Sequence, residues 1–156
     1  MKSISQELIS RVIKKRKSAT HKGNYGRLLL IGGSKKYGGA LIMAAEGALN
    51  SGAGLVTFGT DRVNIAALHT RDPEIMALNW DESIELKNLI KNSDVVVCGM
   101  GLGLDDKAQQ ILRLVRDNIT LKQTLILDAS ALDLIGQQND LLTLNSKILI
   151  FTPHQM

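Results

Sequence analysis

The sequence predicts an α/β domain in three layers, α/β/α, on a mainly parallel central sheet. Three observations predict it. Short continuous apolar runs, each suited to a strand buried on both faces, alternate with stretches of helical spacing. Glycines cluster where several of these runs end and a helix begins. The chain has 156 residues, 44% of them hydrophobic, and a chain of this size can remove about two thirds of its unfolded surface from water. No repeat, low-complexity tract or linker divides it, so residues 1–156 read as one domain.

Taken in order, Ser3 to Lys17 carries Ile4, Leu8, Val12 and Ile13 at helical spacing, with Ser3 and Gln6 as a capping box. A polar loop from Ser18 to Gly26 leads into a strand, Leu28 to Ile31, that stops at Gly32 and Gly33. The Ala- and Leu-rich segment Ala40 to Asn50 is a helix closed by Ser51-Gly52-Ala53-Gly54, and Leu55 to Phe58 is the next strand. Asp61 caps a helix from Arg62 to His69, and Ile75 to Leu78 is a short extended piece. Glu82 to Lys91 is helical, Asp94 to Cys98 is a strand, and Gly99, Gly101 and Gly103 form a second glycine-rich turn. A helix from Asp105 to Asp117, a strand from Thr124 to Leu127, a helix near Ala129 to Ile135 and a strand from Lys147 to Phe151 complete the alternation. Strands joined through helices imply right-handed crossovers and parallel pairing. The last strand has no covering helix after it, so the fold is expected to be incomplete at its C-terminus, with an apolar flank that favours a homo-oligomer.

Composition narrows the function. The lone Cys98 excludes a disulfide scaffold, and with no secretory leader the expected setting is cytoplasmic. No apolar run approaches the roughly 20 residues that span a bilayer, so no membrane partner is expected. The net charge is +4, with seven basic residues and no acid between Arg11 and Arg27, namely Arg11, Lys14, Lys15, Arg16, Lys17, Lys22 and Arg27. This run reads as one anion-attracting region. With 1 Trp, 2 Tyr and 2 Phe there is no platform on which bases could stack, so nucleic acid is not expected as a partner.

Four strand ends carry residues suited to chemistry. The first is Gly32-Gly33-Ser34 through Tyr37-Gly38-Gly39-Ala40, where bare backbone can approach a ligand and a helix N-terminus favours an anion. Gly39-Ala40 stands where a Walker A loop needs Lys-Ser/Thr, so this is a different device. The second is Gly99 to Gly103, delivered by another buried strand to the same edge of the sheet. Cys98 before it reads as a core residue. Asp128, at a third tip, could hold a metal or a hydroxyl, or cap the following helix. His154, in Thr152-Pro153-His154, ends the fourth. His21, His69 and His154 have no metal-site spacing, no metal-ligating set is predicted, and no G-x-S-x-G nucleophile motif occurs.

Several of these motifs, in this order, resemble the ATP/ADP-dependent NAD(P)H-hydrate dehydratases of the ribokinase-like superfamily. The resemblance rests on Lys22-Gly23-Asn24-Tyr25-Gly26, Gly32-Gly33-Ser34, Tyr37 to Ala40, Ala48 to Val56, Pro73-Glu74-Ile75-Met76, Gly101-Leu102-Gly103, Asp128-Ala129 and Thr152-Pro153-His154. It implies a ribokinase-like fold and repair of NADH or NADPH hydrated at the nicotinamide ring, with ATP or ADP and Mg²⁺ as cofactors. It implies that Ala40, Gly103 and His154 line the hydrated dinucleotide, with Gly33, Ser34, Gly39, Gly101 and Asp128 in the same crevice. The family's catalytic Asp lies beyond Met156, so no catalytic residue is expected in this chain. Ser130 stands where the family usually has Asp, and Gln155-Met156 replaces its Pro-Gly-Glu. The alternatives are a non-catalytic nucleotide-binding fragment and a ribokinase-like kinase of a vitamin or sugar.

Overall fold

The computed structural model describes residues 4–13, 18–138 and 143–154. The expected cap at Ser3, the basic run Lys14 to Lys17 and Gln155-Met156 lie outside the described residues. The first helix, α1, is Gln6–Val12, and its cap is Ser5, whose hydroxyl accepts from the Leu8 N–H at 3.2 Å. The expected Ser18–Gly26 loop contains a short 3-10 helix, Lys22–Tyr25.

Strands and helices then alternate: β1 Arg27–Ile31, α2 Gly38–Asn50, β2 Leu55–Thr60, α3 Arg62–Arg71, β3 Met76–Asn79 and α4 Ser83–Asn92. They are followed by β4 Val95–Cys98, α5 Asp106–Asn118, β5 Thr124–Asp128, α6 Ser130–Gln137 and β6 Ile148–Thr152. The six strands form one sheet in the order β3-β2-β1-β4-β5-β6, with every pairing parallel.

Alternation of side chains along each strand divides the core between the two faces of the sheet. Leu29, Ile31, Val96, Cys98, Leu125 and Leu127 pack with residues of α4, α5 and α6. Leu30, Val56 and Phe58 pack on the other face with Leu41 and Ala45 of α2 and Leu68 of α3. This is the three-layer arrangement the apolar runs predict, since a strand covered on both faces has no polar side to show.

The sheet is well covered at its centre and bare at one margin. Leu29, Ile31 and Phe58 are fully buried, whereas all five residues of β6 are exposed, Phe151 at 49%. Among the described residues no helix is long and apolar enough to cross a membrane.

The lower edge of the sheet explains one of the sequence motifs. The Lys22–Tyr25 turn docks on the Ser51–Gly54 bend, where the Gly54 N–H donates to Tyr25 O at 3.2 Å and the Leu55 N–H to Gly26 O at 2.9 Å. Lys22 and Arg27 therefore stand at the start of β1, opposite the edge where the strands end. These two members of the expected anion-attracting region are thus remote from the glycine-rich turns.

Candidate functional site

All six strands deliver their C-terminal ends to one edge, and chain progression reverses between β1 and β4. In an open parallel sheet the connections at such a reversal leave in opposite directions, so a crevice opens between them. Here it is a cavity of about 750 Å³ between the loops that follow β1 and β4, within the size range of small-molecule and cofactor sites.

The two loops are tied to each other. The Gly33 N–H donates to Met100 O at 2.9 Å and the Ser34 N–H to Gly101 O at 2.7 Å. Gly101 adopts φ +61, and a side chain there would run into the Tyr37 carbonyl, so only glycine gives both this backbone and this approach. Ser34, Tyr37 and Ala40 of the first loop face Gly101 and Gly103 of the second across the cavity. Ala129 and Ser130, opening α6, close it from a third side. Ser130 Oγ accepts from the Gly103 N–H at 3.3 Å, so the hydroxyl holds a polar contact where the family resemblance leads one to expect a carboxylate.

Two helices begin at the cavity without a side-chain cap: α2 after Tyr37 and α6 after Ala129. Their opening N–H groups carry the positive end of the helix dipole. Nearby α3 and α5 are capped, Asp61 accepting from Val63 at 3.0 Å and Asp105 from Ala108 at 2.9 Å. Those carboxylates line the cavity but are engaged by backbone. Lys35, Lys36 and Lys107 bring cations to its rim, Lys107 paired with Asp81 and Lys36 lying 5.6 Å from the Tyr37 ring centroid.

Of the residues singled out from the sequence, Ser34, Ala40, Gly101 and Gly103 line the cavity and the other four do not. Gly33 is buried beneath the loop, and its N–H is engaged by Met100 rather than open to a ligand. Gly39 lies on the exposed side of the first turn of α2. Asp128 accepts from the Thr152 hydroxyl at 2.7 Å and so ties β5 to β6. His154 is exposed, two residues past that tie and on the same edge of the sheet. Trp80 and Lys107, which also line the cavity, went unnoticed in the sequence. A lone Trp two residues past the end of an apolar run was the available signal.

Cys98 is buried, and desolvation pushes its thiol up to about 12, which removes it as a nucleophile. Among the described residues no group of three or more His, Cys, Asp or Glu could hold a metal ion. The three carboxylates that line the cavity are dispersed, Asp61 and Asp105 as helix caps and Asp133 exposed in the first turn of α6, so they form no ready-made Mg²⁺ cage.

A family model described as NAD(P)H-hydrate dehydratase matches residues 28–156. The chain belongs to the NAD(P)H-hydrate dehydratase family. It is 46% identical over 156 residues to an ADP-dependent (S)-NAD(P)H-hydrate dehydratase of Enterococcus faecalis, covering 100% of this chain and 53% of the relative. To the enzyme of the same description from Lactiplantibacillus plantarum it is 47% identical, covering 100% and 55%. Among solved structures, a ribokinase-like superfamily protein of E. faecalis matches with a TM-score of 0.92 at 45% identity, over 98% of this chain and 54% of that one. A Bacillus subtilis ADP/ATP-dependent NAD(P)H-hydrate dehydratase, co-crystallized with ATP and Mg²⁺, matches with a TM-score of 0.74 at 26% identity, over 96% and 52%. The chain thus spans about half the length of the curated relatives it matches.

Proposed function

We propose that the cavity between β1 and β4 receives hydrated NADH or NADPH, and that this chain supplies the substrate-binding half of an ADP- or ATP-dependent NAD(P)H-hydrate dehydratase. The observation that carries the reading is the meeting of two uncapped helix N-termini and two glycine-rich loops at one cavity, in a chain of this family. Backbone N–H groups at helix starts suit a pyrophosphate, and glycines let it approach. Ala40 and Gly103 are assigned to the wall of the substrate site, Ser34 and Gly101 to the loops that shape it. Gly33 and Gly39 act from within and beside that loop, and Asp128 and His154 extend the same edge toward β6.

Dehydration by this route phosphorylates the added hydroxyl and then eliminates phosphate. Such transfer needs in-line positioning, neutralisation of charge and a base for the attacking oxygen. Of the carboxylates that line the cavity, Asp61 and Asp105 cap helices and Asp133 is an exposed residue in the first turn of α6, and none of them is assigned as the base. The chain alone is expected to bind the substrate without turning it over. A cytoplasmic setting goes with this substrate and with the single buried thiol.

Titration calorimetry with NADPH hydrate tests the reading, with saturable one-to-one binding expected and an absence of heat overturning it. An absorbance assay for NADH recovered from its hydrate, with ATP or ADP and Mg²⁺, tests the second part. Sustained turnover by this chain would contradict it.

A further inference from the structure

The carbonyl of Gly33 points away from the cavity into the corner between β2 and α3, where three donors meet it. Thr60 Oγ1 donates at 2.9 Å, Asn64 Nδ2 at 2.5 Å and the Asp61 N–H at 3.3 Å. Asn64 Nδ2 also lies 3.1 Å from Thr60 Oγ1, Thr60 is fully buried and Asn64 is 9% exposed. A carbonyl has two lone pairs, so this oxygen is more heavily engaged than satisfying it requires. Asn64 additionally packs against Gly38, at the start of α2.

Gly33 has φ +67 and no side chain to resist rotation of the peptide that follows it. In the trans peptide the Ser34 N–H lies opposite that carbonyl and donates to Gly101 O at 2.7 Å. A turned peptide would lose this bond and bring two carbonyl oxygens together, parting the loops that wall the cavity. We infer that Thr60 and Asn64 are positioning residues for the substrate site: by fixing the Gly33 carbonyl they keep the β1 and β4 loops joined and the cavity in its binding shape. Neither residue lines the cavity, so they act through Gly33. The inference rests on the reading that this cavity is the substrate site, and its test separates the two.

The test compares the wild-type chain with Thr60→Val, which keeps the shape and removes the donor, and Thr60→Ser, which keeps the donor. The first readout is amide hydrogen exchange at Ser34 in the free chain, with Leu125 in β5 as the remote control. Thr60→Val is expected to speed exchange at Ser34 about fivefold or more, the worth of one hydrogen bond, leaving Leu125 unchanged, and Thr60→Ser to resemble wild type. The second readout is the dissociation constant for NADPH hydrate, expected to weaken by about the same factor in Thr60→Val only. Unchanged exchange at Ser34, equal acceleration at Ser34 and Leu125, or faster Ser34 exchange with wild-type affinity would each overturn the inference. If the wild-type chain binds no hydrate, the substrate reading fails, while exchange at Ser34 still decides whether the clamp holds the loops. Should Thr60→Val not fold, Asn64→Asp, which has no N–H donor when ionised, gives the same comparison.

Discussion

Ala129 has φ 43 and ψ −117, a conformation that costs a residue with a β-carbon about 1–3 kcal/mol, and it lies where the chain turns from β5 into the cavity wall. Glycine would adopt it without strain, so Ala129→Gly is expected to raise stability by about 1 kcal/mol in urea unfolding, and a loss would contradict the strain. Gly101→Ala reverses the argument. A methyl group against the Tyr37 carbonyl at positive φ should cost about 2 kcal/mol or more and weaken NADPH hydrate binding. Cys98 sets a pH dependence. Burial raises its folded-state value from 9.0 to about 12, so the folded chain keeps the proton longer than the unfolded one. The stability contribution is complete below the lower value and is lost as the pH rises toward the upper, at roughly 1.4 kcal/mol per unit. Urea midpoints measured across that interval should fall more steeply for wild type than for Cys98→Ala, and equal slopes would contradict it. At this scale the glycine positions were legible because few other residues fit a strand-to-loop turn. Thr60 and Asn64 were not, since a Thr and an Asn acquire meaning only from what the fold places around them.

Among the elements, β1, β4 and β5 were legible as strands because each is a continuous apolar run bounded by turn residues, and a central parallel strand has no polar face. Asp61 gave the start of α3 as its cap, since a carboxylate there accepts from backbone N–H groups that have no partner within the helix, whereas Asp105, expected as the first residue of α5, is its cap. The cap of α1 was misplaced from Ser5 to Ser3, two hydroxyls that local sequence barely separates. Ile148, Leu149, Ile150 and Phe151 are 39–49% exposed, and an apolar strand at a sheet margin recruits partners. The chain is expected to self-associate through β6 and Ile150→Lys to make it monomeric. Light scattering at high concentration checks both, and a monomeric wild type would contradict the first.

For the molecule as a whole, the order of the strands decides where chemistry can occur, because parallel strands bring every loop of one kind to one edge. Sequence patterns indicated parallel strands but not that β1 and β4 are neighbours, a pairing made across 67 residues of chain between Arg27 and Asp94. For that reason the two glycine-rich turns could be named in advance, and their contact through Ser34 and Gly101 could not. Charge counts likewise locate residues along the chain and not in space, and the fold sends Lys22 and Arg27 to the opposite end of β1. The measurement that bears most directly on the account is an NMR titration of the isotope-labelled chain with NADPH hydrate, reading backbone amide shifts. The account predicts shifts concentrated at Ser34 to Ala40, Gly101 to Leu104 and Ala129 to Ser130. Shifts confined to Lys22 to Arg27, or none at a saturating concentration, would contradict it.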